Sequence, residues 1–168
     1  METLNGFTPL QLALLAGESE AAGIIAMQDN INLNVQTLVG WTVPMTAIIG
    51  GSTRCVELLA KQENCDGWNT PDKLGKTPLL EAIERKEKDI VKVLLRCPRV
   101  DPSLKDRQGN FPVMVAIKES LKEDTAMARM LILCPRVDLS TRDRDGASLQ
   151  RIARWEQTEE FGFLCFIA

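Results

Sequence analysis

Apolar residues in the middle of the chain fall into two short helical registers separated by a polar break. Leu79, Ala82 and Ile83 stand at i, i+3 and i+4, and Ile90, Val91, Leu94 and Leu95 resume helical spacing further on. The pattern predicts a first helix after Thr77-Pro78, a break near Lys86, and a second helix that stops at Pro98. Thr77 suits the cap because its hydroxyl accepts from an orphan backbone N–H. Pro78 then falls at the first helical position, where a missing N–H costs nothing. Pro98 ends the second helix by driving the residue before it out of the helical region. Gly75 suits the tight turn ahead of the first helix, where the chain calls for positive φ. From Val100 to Gly109 the sequence reads as an extended, turning connector.

This unit recurs. Gly6, Gly40, Gly75, Gly109 and Gly146 precede Ala13, Ala47, Ala82, Ala116 and Ala153 by seven residues each, and the glycines are 34, 35, 34 and 37 residues apart. A fixed period of about 33 residues is the mark of helix-pair repeat arrays. The copies begin Gly6-Phe-Thr-Pro-Leu, Gly40-Trp-Thr-Val-Pro, Gly75-Lys-Thr-Pro-Leu, Gly109-Asn-Phe-Pro-Val and Gly146-Ala-Ser-Leu-Gln. The connectors between them run Asn32 to Gly40, Trp68 to Gly75, Asp101 to Gly109 and Asp138 to Gly146. With its Gly-x-Thr-Pro-Leu-x-x-Ala starts and Asp-x-x-Gly connectors, the chain resembles the ankyrin-repeat family over nearly its whole length. The resemblance implies an all-α fold, an ankyrin-repeat solenoid of stacked helix-turn-helix units joined by β-hairpin-like connectors. We expect one domain over residues 1–168, with repeats near 1–37, 38–72, 73–106, 107–143 and 144–168.

The chain departs from the family pattern in several places. The family usually carries a histidine after Thr-Pro-Leu that ties neighbouring turns together. Here Gln11, Met45, Leu80, Met114 and Gln150 fill that position, which puts those inter-repeat hydrogen bonds in doubt. The second repeat shifts its proline to Pro44 and the fifth has none. The fourth repeat gains three residues around Lys118 to Thr125, expected as a longer, solvent-facing loop between its helices, where insertion costs little entropy. The ends are atypical as well, since solenoid ends need polar outer faces. The first repeat starts almost at Met1. The last carries Phe161, Phe163, Leu164, Phe166 and Ile167, either the buried face of a final helix or the exposed end of a longer array.

Composition narrows the chemistry. The 168 residues are 45% apolar and 26% charged with a net charge of −3, too little to imply nucleic acid or a membrane surface. No apolar run approaches the about 20 residues of a bilayer span, and the start of the chain does not read as a secretory signal, so we expect the cytoplasm or nucleus. Cys55, Cys65, Cys97, Cys134 and Cys165 are scattered without a C-x-x-C pair and read as small buried hydrophobes. Cys97 and Cys134 hold equivalent places in adjacent repeats, roughly 10 Å apart by helix packing, beyond the about 7 Å between Cα atoms that a disulfide tolerates. With no histidine in the chain, no Ser-His or Cys-His pair can be assembled, and a zinc site would need four convergent ligands, which the scattered cysteines do not suggest. No phosphate-cradling glycine motif is present. Gly50-Gly51 falls at the turn between the helices of the second repeat, and Glu156, Glu159 and Glu160 read as a solvated helix face. Asp101, Asp106, Asp138 and Asp143 recur because the turn recurs, their side chains bonding nearby backbone N–H groups. We therefore expect no catalytic residue, metal, cofactor or small-molecule substrate.

What remains is a surface. A repeat array offers a long concave face, and the family resemblance places it at the residues flanking each turn glycine and near the end of each first helix. In repeats one and two that face carries Leu4, Phe7, Leu15, Leu38, Val39, Trp41 and Ile49. In repeats three to five it carries Lys73, Lys76, Arg85, Lys105, Arg107, Lys118, Arg142 and Arg144, with Glu84, Glu119, Asp145 and Glu156 among them. The expected protein-binding residues are Phe7, Leu38, Val39, Trp41, Ile49, Lys73, Lys76, Arg85, Lys105, Arg107, Arg142 and Arg144. The expected ligand is a partner protein with an apolar patch followed by acidic residues. Against this stands the alternative that Phe7, Trp41 and Ile49 pack within their own repeats or against further repeats upstream. A compact regulator that inhibits a kinase or transcription factor by occlusion is the competing functional class, as some small ankyrin proteins are.

Overall fold

The computed structural model describes residues 6–28, 30–120, 125–142 and 145–149. Among them are helices α1 (Pro9–Leu15), α2 (Ser19–Ala26), α3 (Val43–Ile49), α4 (Thr53–Ala60), α5 (Pro78–Glu84), α6 (Lys88–Arg96), α7 (Pro112–Ser120) and α8 (Ala126–Ile132), and no strand. Three first helices start alike. Thr8, Thr42 and Thr77 are extended caps whose hydroxyls accept from the N–H groups of Gln11, Met45 and Leu80, with a proline at the first or second helical position. Helix α6 ends at Arg96, and Cys97, the residue before Pro98, is extended with ψ 117°.

Successive helices pair as α1–α2, α3–α4, α5–α6 and α7–α8, and the pairs stack. First helices form one layer, in the order α1, α3, α5, α7, and second helices form the other. The core runs unbroken between the layers, through Leu10 and Leu14, Ile48 and Leu59, Ile83 and Leu94, to Ile117 and Leu131. Each of the apolar positions Leu79, Ala82, Ile83, Ile90, Val91 and Leu94 is buried, while Leu95 is half-buried. The third repeat thus folds as its sequence pattern predicts, with Lys86 in the left-handed region at φ 61° between its helices.

The connectors are hairpin-like turns, with isolated antiparallel pairs at Gln36–Thr42 and Arg142–Ser148. One expectation needs correction. The inserted segment of the fourth repeat begins as helix, because α7 runs nine residues to Ser120 where α1, α3 and α5 have seven. Lys118 and Glu119 are good helix formers, and a cation in the last turn complements the helix dipole. Residues 121–124 of that segment, and the C-terminal apolar segment with Cys165, lie outside the described residues.

The missing histidines are compensated in two ways. Gln11 accepts from the Thr8 N–H at 3.1 Å and donates through Nε2 to the Trp41 carbonyl of the next repeat at 3.3 Å. Met45, Leu80 and Met114 are buried apolar residues instead. The other ties come from side chains that step along the connectors. Asn34 donates to the Asn64 carbonyl at 3.0 Å and accepts from the Asp66 N–H at 2.7 Å. Asn69 donates to the Arg99 carbonyl and accepts from the Asp101 N–H, both at 2.8 Å, and Ser103 accepts from the Asp138 N–H at 3.1 Å. Asn69→Ala removes both rungs of one step but leaves its partners accessible to water. We expect a loss of about 1 kcal/mol, read as a lower urea midpoint at unchanged slope.

Candidate functional site

Three connector turns have one construction. At the second turn the Thr37 N–H donates to the Trp41 carbonyl and the Trp41 N–H to Thr37 Oγ1, both at 3.0 Å. The third turn uses Asp72 and Lys76 in the same exchange, at 2.9 Å each way. The fourth uses Asp106 and Asn110, at 3.1 and 2.8 Å. Each turn therefore fixes its own ends and presents the two residues ahead of its glycine, namely Leu38-Val39, Lys73-Leu74 and Arg107-Gln108. Asp101 and Asp138 stabilise their connectors similarly, accepting from Ser103 and Ser140. The Asp138 carboxyl is held below the usual range by the Ser140 side-chain hydrogen bond, then by its backbone bond. Asp143 lies outside the described residues.

The turns also touch one another. The Lys73 N–H donates to the Val39 carbonyl at 3.1 Å, and Arg107 Nη1 donates to the Lys73 carbonyl. Gly40 and Gly75 have φ of 86° and 88°, and both are needed for closeness as well as for conformation. A Cβ on Gly40 would lie 2.9 Å from the Lys73 nitrogen, and one on Gly75 would lie 2.2 Å from Arg107 Cγ. One backbone bond thus joins the second and third tips, and the Arg107 side chain joins the third and fourth.

On this frame Leu38, Val39 and Leu74 are 61%, 47% and 75% exposed. They make an apolar strip across two adjacent turns, and Leu74 extends it beyond the residues read from the sequence. Its signal was present, because Leu74 holds the same place ahead of Gly75 as Val39 does ahead of Gly40. The charge of its neighbour Lys73 masked it. Of the other apolar residues expected on this face, Phe7, Leu15, Trp41 and Ile49 are half-buried, and Leu4 lies outside the described residues. Phe7 and Trp41 meet edge to face, centroids 6.0 Å apart, across the first and second repeats, and Ile49 closes the end of α3. This places Phe7 and Trp41 in the contact between repeats.

The basic residues separate into two groups. Lys76 pairs with Glu84 and Glu81, and Arg85 pairs with Glu81 at 3.4 Å while donating to the Ile49 carbonyl at 3.0 Å. The Glu84 side-chain hydrogen bond, despite partial burial, raises the Lys76 ammonium above its ordinary range. Lys73, Lys105, Arg107 and Arg142 are exposed, and no carboxylate among the described residues forms an ion pair with them. Arg142 donates to the Gly146 carbonyl at 3.1 Å. Arg144 lies outside the described residues.

Among the described residues no group of three or more His, Cys, Asp or Glu is placed to hold a metal ion. Cys55, Cys65 and Cys97 are buried free thiols and Cys134 is half-buried. Burial pushes the Cys65 thiol up to about 12, which keeps it protonated and poorly nucleophilic. No described helix is long and apolar enough to cross a membrane.

Comparison with known families follows the same lines. Residues 27–106 match a family model described as Ankyrin repeats (3 copies). Repeats of this family are generally protein–protein interaction modules and typically not enzymes. No protein of curated function matches the chain.

Proposed function

We propose that this ankyrin-repeat chain is a non-catalytic module of the cytosol or nucleus that docks a partner protein across its turn tips. Free thiols in the core suit a reducing compartment. The observation that carries the reading is the apolar strip of Leu38, Val39 and Leu74, exposed on two turns joined by the hydrogen bond from the Lys73 N–H to the Val39 carbonyl. Such a strip is already organised before a partner arrives, so little ordering entropy is lost on docking. The cations Lys105, Arg107 and Arg142, which form no ion pair among the described residues, continue the row. The partner segment that fits presents apolar side chains to the strip and anionic ones beyond it. Apolar anchors supply most of the energy of such contacts, and peripheral charges set association rate and register.

Peptides selected on the intact chain from a random display library test this. We expect them to carry an apolar pair followed by acidic residues. The double variant Leu38→Asp/Leu74→Asp should bind them at least about tenfold more weakly, a loss of about 1.4 kcal/mol or more. Its unfolding midpoint should stay near that of the parent, since both side chains face water. Equal binding by parent and double variant would overturn the proposal. Trp41 is the poorer probe, because its contact with Phe7 mixes folding with binding.

A further inference from the structure

Beside the Asp106–Gly109 turn lies an open groove of about 300 Å³, lined by Lys105, Arg107, Gln108, Phe111 and Arg142 with the turn itself. Lys105 and Arg142 stand four residues ahead of their turn glycines, in adjacent repeats, where the second and third repeats have Gln36 and Pro71. The concentration of cations is therefore local to this end of the row. It is also uncompensated among the described residues, unlike Lys76 and Arg85 with their glutamates. The groove's own carboxylate, Asp106, is engaged by its turn. Asp106 accepts from the N–H groups of Gln108 and Asn110 at 2.8 Å each and from Asn110 Nδ2 at 2.9 Å.

We infer that this groove receives a phosphorylated side chain of the partner segment, an inference that rests on the docking surface proposed above. Three cationic residues line one concavity. A single carboxylate would answer only one of those charges. A phosphate monoester brings a charge of about −1.5 to −2 and three acceptor oxygens, which suits an ammonium and two guanidinium groups. Arg107 and Arg142 each give one nitrogen to a backbone carbonyl, which fixes the guanidinium and leaves further N–H donors for a ligand. The half-buried Phe111 offers an apolar wall to the carbon stem that carries the phosphate. Continuity with the Leu38–Leu74 strip makes the carrier a polypeptide segment. A lipid headgroup would present the same group without anything for the strip.

Three degenerate peptide libraries test the inference on the full chain, with phosphoserine, serine or glutamate at one fixed position. We expect the phosphoserine library to be retained at least about tenfold better than the other two, with the advantage falling as salt is raised. Inorganic phosphate at high concentration should compete. Lys105→Ala removes an ammonium that bonds nothing within the described fold, and it should cost about tenfold in phosphoserine binding alone. Arg142→Gln should do the same. Leu38→Asp/Leu74→Asp should weaken all three libraries together and keep the preference. Equal retention of the three libraries would overturn the inference, as would a preference untouched by both charge variants. So would capture by phosphoinositide vesicles without any phosphoserine preference. If the libraries are retained equally yet all depend on Leu38 and Leu74, the phosphate receptor falls and the docking surface stands.

Discussion

Arg99→Ala is expected to destabilise the fold by about 3 kcal/mol, more than any other single change of a solvent-reaching side chain in the described array. Arg99 belongs to the connector after α6, yet its guanidinium reaches back to the preceding repeat. Nη1 donates to the Gln62 carbonyl at 2.8 Å and the Cys65 carbonyl at 2.7 Å, and Nη2 donates to the Ala60 carbonyl at 2.8 Å. These acceptors lie at and just beyond the end of α4, where a helix leaves carbonyls without internal partners and the macrodipole favours a cation. The guanidinium also lies 5.7 Å from the ring centroid of Trp68, which is buried and donates through its own Nε1 to the Cys65 carbonyl. Alanine removes the three donations and the cation–ring contact at once. The Gln62 and Cys65 carbonyls keep the Cys65 N–H and Trp68 Nε1, while the part-buried Ala60 carbonyl loses its side-chain donor. Lysine keeps the charge but not the planar fork, so Arg99→Lys should recover less than half of the loss. Arg96→Ala, on the exposed face of α6, should stay within about 0.5 kcal/mol of the parent. Urea unfolding of the three variants decides it. If Arg99→Ala unfolds within about 0.5 kcal/mol of the parent, the clamp is ornamental. Because stacked repeats are coupled chiefly to their neighbours, a weakened junction between repeats two and three should also broaden the transition.

The clamp shows where the sequence could be read and where it could not. Helix positions were legible because they rest on local rules: a threonine cap, a proline at the helix start, apolar residues at helical spacing. The turn positions were legible for the same reason, since an aspartate and a left-handed glycine specify their own few bonds. What joins one repeat to the next spans 30 or more residues, as in Asn69 to Arg99 or Arg99 to Ala60. No local pattern encodes such a bond. The Cys-Pro-Arg-Val-Asp motif repeats at Cys97 and Cys134, and its arginines act alike, with Arg136 donating to the Val100 carbonyl at 2.7 Å and to that of Leu95. The recurrence pointed to a repeated task without naming it. The candidate surface divides in the same way. Exposure of Leu38 and Val39 follows from their place on a turn, but pairing of Lys76 and Arg85 with Glu81 and Glu84 depends on side-chain reach across the helix face. The sequence placed both cations on the expected face; the structure pairs them with Glu81 and Glu84, and Arg85 also reaches the Ile49 carbonyl of the second repeat.

Gly50 and Gly51 supply the sharpest case, because the backbone alone assigns them the wrong order of importance. Gly51 is left-handed at φ 69°, while Gly50 ends α3 in the ordinary helical region at φ −69° and ψ −8°. On conformation alone, alanine at Gly50 should gain about 1 kcal/mol of helix preference, and alanine at Gly51 should lose about 1–2 kcal/mol. Space reverses this. A Cβ on Gly51 would find only Glu87 Oε1, at 3.6 Å, whereas one on Gly50 would lie 2.1 Å from the Leu14 carbonyl oxygen and 3.1 Å from its carbon. That oxygen accepts from the Gly17 N–H at 3.0 Å at the end of α1, so neither partner in the clash is a side chain that can swing aside. Gly50→Ala must separate α1 from α3, which pulls Leu10 and Leu14 out of the shared core. We expect a net loss of about 2–3 kcal/mol, in the upper range of overpacking costs and larger than that of Gly51→Ala. Amide exchange should accelerate first in α1 and α2, while α5 and α6 keep their protection, because the damage is confined to the first junction. A Gly50→Ala protein as stable as the parent would mean that α1 docks on α3 less closely than the 2.1 Å approach requires. The first repeat would then be held by Gln11 and the Phe7–Trp41 contact instead.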